Sequence, residues 1–184
     1  MMKKQILMVA FVAFASVGFR ASVSAVALPP CPQGRVLSAQ ERITQRDIQE
    51  RIDESIEADL AKDSEAAAHN LTDDFTVKLL DGTVLNRQQF LEGNKEQKDN
   101  LLMVSDRTRI TIDCLTLKGI VATVYTNQHY VRYMPDRKDG SPHEVITNIT
   151  HREIWVFTGE GWKVKHVEEL QRGVTLLNGQ PYNP

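Results

Sequence analysis

The sequence predicts an α+β domain in which three N-terminal helices pack on a curved, mostly antiparallel sheet. Three features carry that expectation. Ser38 and Glu41 form an S-x-x-E capping box ahead of Ile48, Ile52, Ile56 and Leu60, an apolar stripe at four-residue spacing. From Val104 onward, runs rich in Val, Ile, Thr and aromatic residues alternate with the turn signals "KG" and "TGEG". Between these regions "FTVKLL", "DG" and "TVLN" read as two short strands around a tight turn.

The 184 residues, 41% hydrophobic and 25% charged, suit one ordinary globular domain. The first 25 residues read as something else. Lys3 and Lys4 precede an apolar run from Ile6 to Phe19, and the small residues of "ASVSAVA" follow. That is the layout of a secretory signal peptide, with cleavage expected after Ala25 or Ala27. The apolar run is short for a bilayer span, so the expectation is an exported protein, periplasmic or secreted, with no membrane attachment once the leader is removed. Without Lys3, Lys4 and Arg20, 19 of the 22 basic residues face 24 acidic ones, a balance of −5. Such a charge argues against nucleic acid and anionic membrane surfaces as partners. Export would place Cys31 and Cys114 in an oxidising compartment, where they either pair or stay as two thiols; the sequence leaves both open.

The elements follow in order. Residues 26–37, rich in proline, form an irregular lead-in. The capping box at Ser38 starts the first helix, and its many charges form a solvated face. A break near Lys62 and Asp63 precedes a short second helix, "SEAAAHNL", with Asp63 as its N-cap. After the strand pair, "RQQFLEGNKE" reads as a third helix capped by Asn86. Four strands are expected next, over Val104–Leu117, Ile120–Tyr133, Val145–Phe157 and Trp162–Leu170. A long polar loop, "MPDRKDGSPH", separates the second from the third. The domain is therefore placed at residues 38–172, with a tail at 173–184 whose role is open. The sequons at Asn70 and Asn148 are read as chance tripeptides.

This order, with these residues, resembles the nuclear transport factor 2-like superfamily, whose members include ketosteroid isomerases and polyketide cyclases of the SnoaL type. "DSEAAAHNLTDDF" resembles the family's second helix and the D-D step that ends it. "LLDGTVLNRQQFLEG" resembles the strand–turn–strand–helix that follows. "REIWVFTGEGWKVKHVEE" resembles the closing hairpin, with two tryptophans about a Gly-containing turn and a histidine after the second. The resemblance spans about residues 40–172. It implies a cone-like fold, a pocket between the sheet and the helices, and a homodimer formed through the sheet. One departure matters for chemistry. Where the ketosteroid isomerases carry their catalytic aspartate, "TVKLLDG" places Leu79, and the first helix has no tyrosine to serve as oxyanion donor. Steroid isomerisation by that route is not expected.

Alternate residues of a strand share a face. Pairing Phe157 with Trp162 sets Trp155 opposite Val164, Glu153 opposite His166, and His151 opposite Glu168. Pairing Leu117 with Ile120 sets Cys114 opposite Thr123 and Ile112 opposite Tyr125. The greasier face then holds Ile110, Ile112, Cys114, Val121, Tyr125, Trp155, Phe157, Trp162 and Val164, and is expected to be concave. Asp106, Asn127, His129, His151, Glu153, His166 and Glu168 fall on the same face, away from the hairpin turn. Burying such groups costs several kcal/mol each (roughly) unless they are paired or wet, which points to a polar pocket end.

From these residues come two readings of the chemistry. In one, His166, Glu153, His151, Glu168 and Asp106 form a general acid/base site, a carboxylate holding an imidazole in one tautomer. In the other, the same groups are salt-linked pairs at the rim. Tyr125, Asn127, His129, Trp155 and Trp162 are the expected ligand-binding wall. No compact metal motif such as HExxH occurs, so metal binding by the scattered His and Glu residues is only a minor alternative, and no cofactor is expected. The functional expectations are a small-molecule-binding protein with a polar-ended hydrophobic pocket, an isomerase-, cyclase- or dehydratase-type enzyme, or a protein-interaction domain. The ligand of the first two would be small and hydrophobic or amphipathic.

Overall fold

The structure, a computed structural model, describes residues 35–100, 102–136 and 138–182. The expected leader and Cys31 lie outside the described residues. Helix α1 spans Ala39–Leu60 and begins where the capping box places it. Ser38 Oγ accepts from the Glu41 backbone N–H at 3.2 Å, and the Glu41 carboxylate accepts from the Ser38 N–H at 2.9 Å. The helix buries Ile48 and Ile52 and turns most of its charges outward, Glu41 and Asp59 excepted. Asp63 caps α2 (Ser64–His69) by accepting from the Glu65 and Ala66 N–H groups, each at 3.0 Å. Strands β1 (Leu71–Lys78) and β2 (Val84–Asn86) then form a hairpin before α3 (Arg87–Asn100), so the helices are not one N-terminal block. Asn86 and Gln89 exchange bonds of 3.0 Å in both directions at the start of α3.

The remaining strands are β3 (Met103–Val104), β4 (Arg109–Lys118), β5 (Val121–Pro135), β6 (Pro142–Thr158), β7 (Gly161–Arg172), β8 (Leu176–Leu177) and β9 (Gln180–Pro181). Together the described strands make one nine-stranded mixed sheet with the path β2-β1-β7-β6-β5-β3, in which β1 runs parallel to β7. β4 also pairs with β5, and β8 with β6. The core gathers Ile48 and Ile52 from α1 against Phe75, Val77, Leu115, Val124, Trp155, Trp162 and Val164. Each such buried side chain contributes about 1.5–3 kcal/mol of transfer free energy.

Four departures from the sequence reading have local causes. The strand expected over Val104–Leu117 is broken between β3 and β4, because the Thr108 side chain takes over the ladder. Its Oγ1 donates to the Val131 carbonyl and accepts from the Val131 N–H, both at 3.0 Å. The expected long polar loop is trimmed by two residues at each end, since β5 runs to Pro135 and β6 starts at Pro142. Asp136 and Asp139 tighten the connection by accepting from the Lys138 and Ser141 N–H groups at 2.6 and 2.9 Å. The tail is structural: the β8–β9 hairpin extends the sheet along β6 through Val145 and Ile146.

The fourth departure is register. The β6–β7 hairpin pairs Phe157 with Trp162 and Trp155 with Val164, and then Lys165 bulges, so Ile154 rather than Glu153 faces His166. A second irregularity at Leu170 sets Thr150 opposite Gln171. In the β4–β5 hairpin the turn residues are Gly119 and Ile120, with Lys118 opposite Val121, one position later than the reading assumed. Asp113 bulges out of β4. A one-residue slip moves every later side chain to the other face.

Candidate functional site

A cavity of about 210 Å³ lies between the sheet and the helices. Phe75, Phe90, Ile110, Ile149, Trp155 and Val164 give it apolar walls, while Gln128, Tyr130, Arg132, His151, Glu153 and Asp59 give it polar ones. Strand alternation explains the second group. Gln128, Tyr130 and Arg132 are successive inward residues of β5, and His151, Glu153 and Trp155 are successive inward residues of β6. The roof comes from α1, whose Ile52, Ser55 and Asp59 recur on one helix face. Asn70 fixes the start of β1 beneath that helix, its side-chain amide donating to the Arg51 carbonyl at 2.9 Å and to Ser55 Oγ at 3.1 Å.

The polar groups form a short chain. Glu153 is 5% exposed, and both its oxygens accept: Oε1 from Thr126 Oγ1 at 2.8 Å, and Oε2 from Trp155 Nε1 at 2.8 Å. Burial raises its pKa, against the opposing pull of those two hydrogen bonds. His151 is 4% exposed, and its Nδ1 lies 3.9 Å from Glu153 Oε1 and 3.0 Å from Gln128 Nε2. With the Gln128 amide donating to Nδ1, the imidazole proton sits on Nε2, a buried atom with no hydrogen-bond partner. Burial, reinforced by the nearby Arg172 guanidinium, lowers the His151 pKa to about 4. The pair is therefore driven away from being an ion pair: each partner is pushed toward its neutral form. Tyr130 donates to Asp59 Oδ2 across 3.4 Å, and burial raises its phenol pKa.

Of the residues expected at the site, His151, Glu153 and Trp155 line the cavity. Trp162 is buried in the adjoining core, edge-on to the Phe157 ring at 5.4 Å. The others are corrected. The β4–β5 turn places Tyr125, Asn127 and His129 on the outer face with Val121 and Cys114, where Asn127 bonds Asp113 and His129 bonds Asn148 at 2.8 Å. Cys114 is disulfide-bonded. The Lys165 bulge turns His166 and Glu168 outward. His166 Nδ1 meets Thr76 Oγ1 at 2.8 Å, and Glu168 is paired with Arg152 and Lys78, the Lys78 bond chiefly holding its pKa down. Asp106 sits exposed in the turn between β3 and β4, and Phe157 is exposed at the hairpin end. Thr126, Gln128, Tyr130 and Arg132 went unread, yet one signal pointed to them. A glycine at the first of two turn residues matches a type II′ hairpin, and Gly119 has φ 60°. That choice alone sets the phase of β5.

Among the described residues no group of three or more His, Cys, Asp or Glu side chains is placed to hold a metal ion, and no helix is long and apolar enough to cross a membrane. No family model matches the sequence, and no curated protein matches it. Solved structures do. A candidate scytalone dehydratase from Novosphingobium aromaticivorans superposes with a TM-score of 0.64 at 14% identity, over 78% of this chain and 90% of its own. A candidate dehydratase of the NTF2-like family from Streptomyces avermitilis gives 0.55 at 14% identity, over 70% of this chain and 96% of its own. A candidate aromatic ring hydroxylase from Novosphingobium aromaticivorans gives 0.57 at 16% identity, over 75% and 95%. At these identities the likeness is one of fold: the chain has the NTF2-like fold.

Proposed function

We propose that this NTF2-like fold serves as an exported pouch for a small, largely apolar molecule, oriented by buried polar groups at one side of the cavity. The observation that carries the reading is the cavity between sheet and helices: aromatic and aliphatic walls beside an imidazole whose Nε2–H has no acceptor among the described residues. A buried donor left unsatisfied costs about 1–3 kcal/mol, which a ligand oxygen would offset. Fold alone does not select this function, because one scaffold carries many. Export rests on the basic-then-apolar N-terminus, and a homodimer through the outer sheet face rests on the resemblance. Sedimentation addresses the second point.

The test is a thermal-shift screen of small aromatic and aliphatic compounds on the native protein, repeated on Val167→Phe, which fills the cavity from β7. Compounds that raise the Tm of the native protein and not of the variant support the pouch. An equal response in both places binding elsewhere and sinks the reading.

A second reading is favoured by one feature, the buried His151–Glu153 pair. A neutral imidazole beside a carboxyl group held toward its acid form is equipped to relay a proton, the chemistry of an isomerase, cyclase or dehydratase. Replacing His151 by Asn separates the readings: an enzyme loses turnover with its fold intact, whereas a passive pouch shows only altered affinity.

A further inference from the structure

Among the described residues Arg132 is the one strong cation of the cavity wall, and neither function above assigns it a role. It is 1% exposed, among the largest fully buried side chains of the protein. Its Nε and Nη2 have no hydrogen-bond partner. Those two N–H groups lie along one edge of the guanidinium and point the same way, the edge that receives both oxygens of a carboxylate. Arg172 shows the occupied form of that arrangement, giving Nε and Nη2 to the two Glu169 oxygens at 2.6 and 2.8 Å. On Arg132 the same edge has no hydrogen-bond partner among the described residues. Thr147, diagonal to it across β5 and β6 on the inward face, carries a second buried polar atom without a partner, its Oγ1.

Among the described residues no acidic side chain fills the role. Glu169 is committed to Arg172, Glu153 to Thr126 and Trp155, and Asp59 receives the Tyr130 hydroxyl. The Tyr130 ring, 5.5 Å from the Arg132 guanidinium carbon, offers only partial compensation. An arginine does not escape burial by losing its proton, so its charge stays, with no ion-pair partner among the described residues.

We infer that the ligand of the pouch is an organic carboxylate, held by the Nε–Nη2 edge of Arg132 with its apolar body lying toward Ile149 and Trp155. This rests on the pouch reading and adds the ligand's chemical class. Both nitrogens are buried, so binding turns the guanidinium to present this edge to the cavity.

Phenylacetate and its neutral counterpart phenylacetamide make the test, titrated against the native protein and against Arg132→Met, with fluorescence of Trp155 and Trp162 as the signal. In the native protein the acid binds at least about tenfold more tightly than the amide. In R132M that preference collapses to about twofold or less while the amide's affinity is kept. The unliganded variant also melts no lower than the native protein, since it sheds a buried charge that lacks a partner. Equal binding of acid and amide by the native protein, a preference that survives in R132M, or a lower Tm of R132M would each overturn the inference while leaving the pouch standing. If neither compound binds and no member of the broader screen does, the pouch itself fails and the carboxylate assignment falls with it.

Discussion

The buried imidazole makes a quantitative claim about stability and pH. His151 has a folded-state pKa of about 4 against an ordinary value of 6.5, with burial the larger cause and the Arg172 charge the smaller. Between those two values the unfolded chain holds a proton that the folded protein does not, so acid favours unfolding. The contribution is fully present above about pH 6.5 and is lost as pH falls toward about 4. From about pH 7.5 to about pH 4.5 the shift corresponds to about 2–3 kcal/mol of lost stability from this residue. The perturbation is His151→Asn, which keeps an oxygen near the Nδ1 position to accept from Gln128 and cannot take up a proton. Urea unfolding of both proteins across that range, followed by tryptophan fluorescence, gives the two pH profiles. Glu153 works in the opposite sense, because its raised pKa favours folding at low pH and loses that contribution as pH rises through the folded value. It is present in both proteins and cancels in the difference. The native protein should lose about 2–3 kcal/mol more than the variant on acidification. Parallel profiles would refute the buried, neutral imidazole.

Other outcomes follow from the same geometry. Glu153→Gln preserves the size and much of the bonding of a group pushed toward its neutral acid, so its unfolding free energy at about pH 7 stays within about 1 kcal/mol of native. Glu153→Ala strands the Trp155 N–H and the Thr126 hydroxyl, and denaturation should show a loss of about 2–4 kcal/mol. His166→Ala lies on the far face of β7, and calorimetric titration with any ligand from the screen should return an affinity within about twofold of native, where His151→Ala weakens it by about tenfold.

Much of the architecture was legible because its signals are local. The Ser38–Glu41 box, the Asp63 and Asn86 caps and the Phe157–Trp162 hairpin each depend on a few neighbouring residues, and each stands where the sequence put it. The site was harder because facing direction accumulates along a strand. Counting outward from the correct Phe157–Trp162 pair gave the right side for Trp155 and Glu153 on β6, whose own alternation is unbroken, and so also for His151. On β7 the count crossed Lys165 and put His166 on the wrong side. On β5 a turn placed one residue early exchanged Tyr125, Asn127 and His129 for Thr126, Gln128 and Tyr130. Bulges such as those at Asp113 and Lys165 add one residue to one strand, and nothing in the local composition announces them. Arg132 was missed for a related reason: an arginine in a strand reads as solvated, and only the neighbouring chain reveals that this one is enclosed.

In the proposed function, a ligand sits against the inward face of the sheet. Methyl-detected NMR of the protein with phenylacetate, or with the best compound of the screen, tests it most directly. Shifts should concentrate on the methyl groups of Ile52, Ile110, Ile149 and Val164, which line the cavity. Shifts confined to Val121, Ile154 and Val156 on the outer face, or none with any compound, would contradict it.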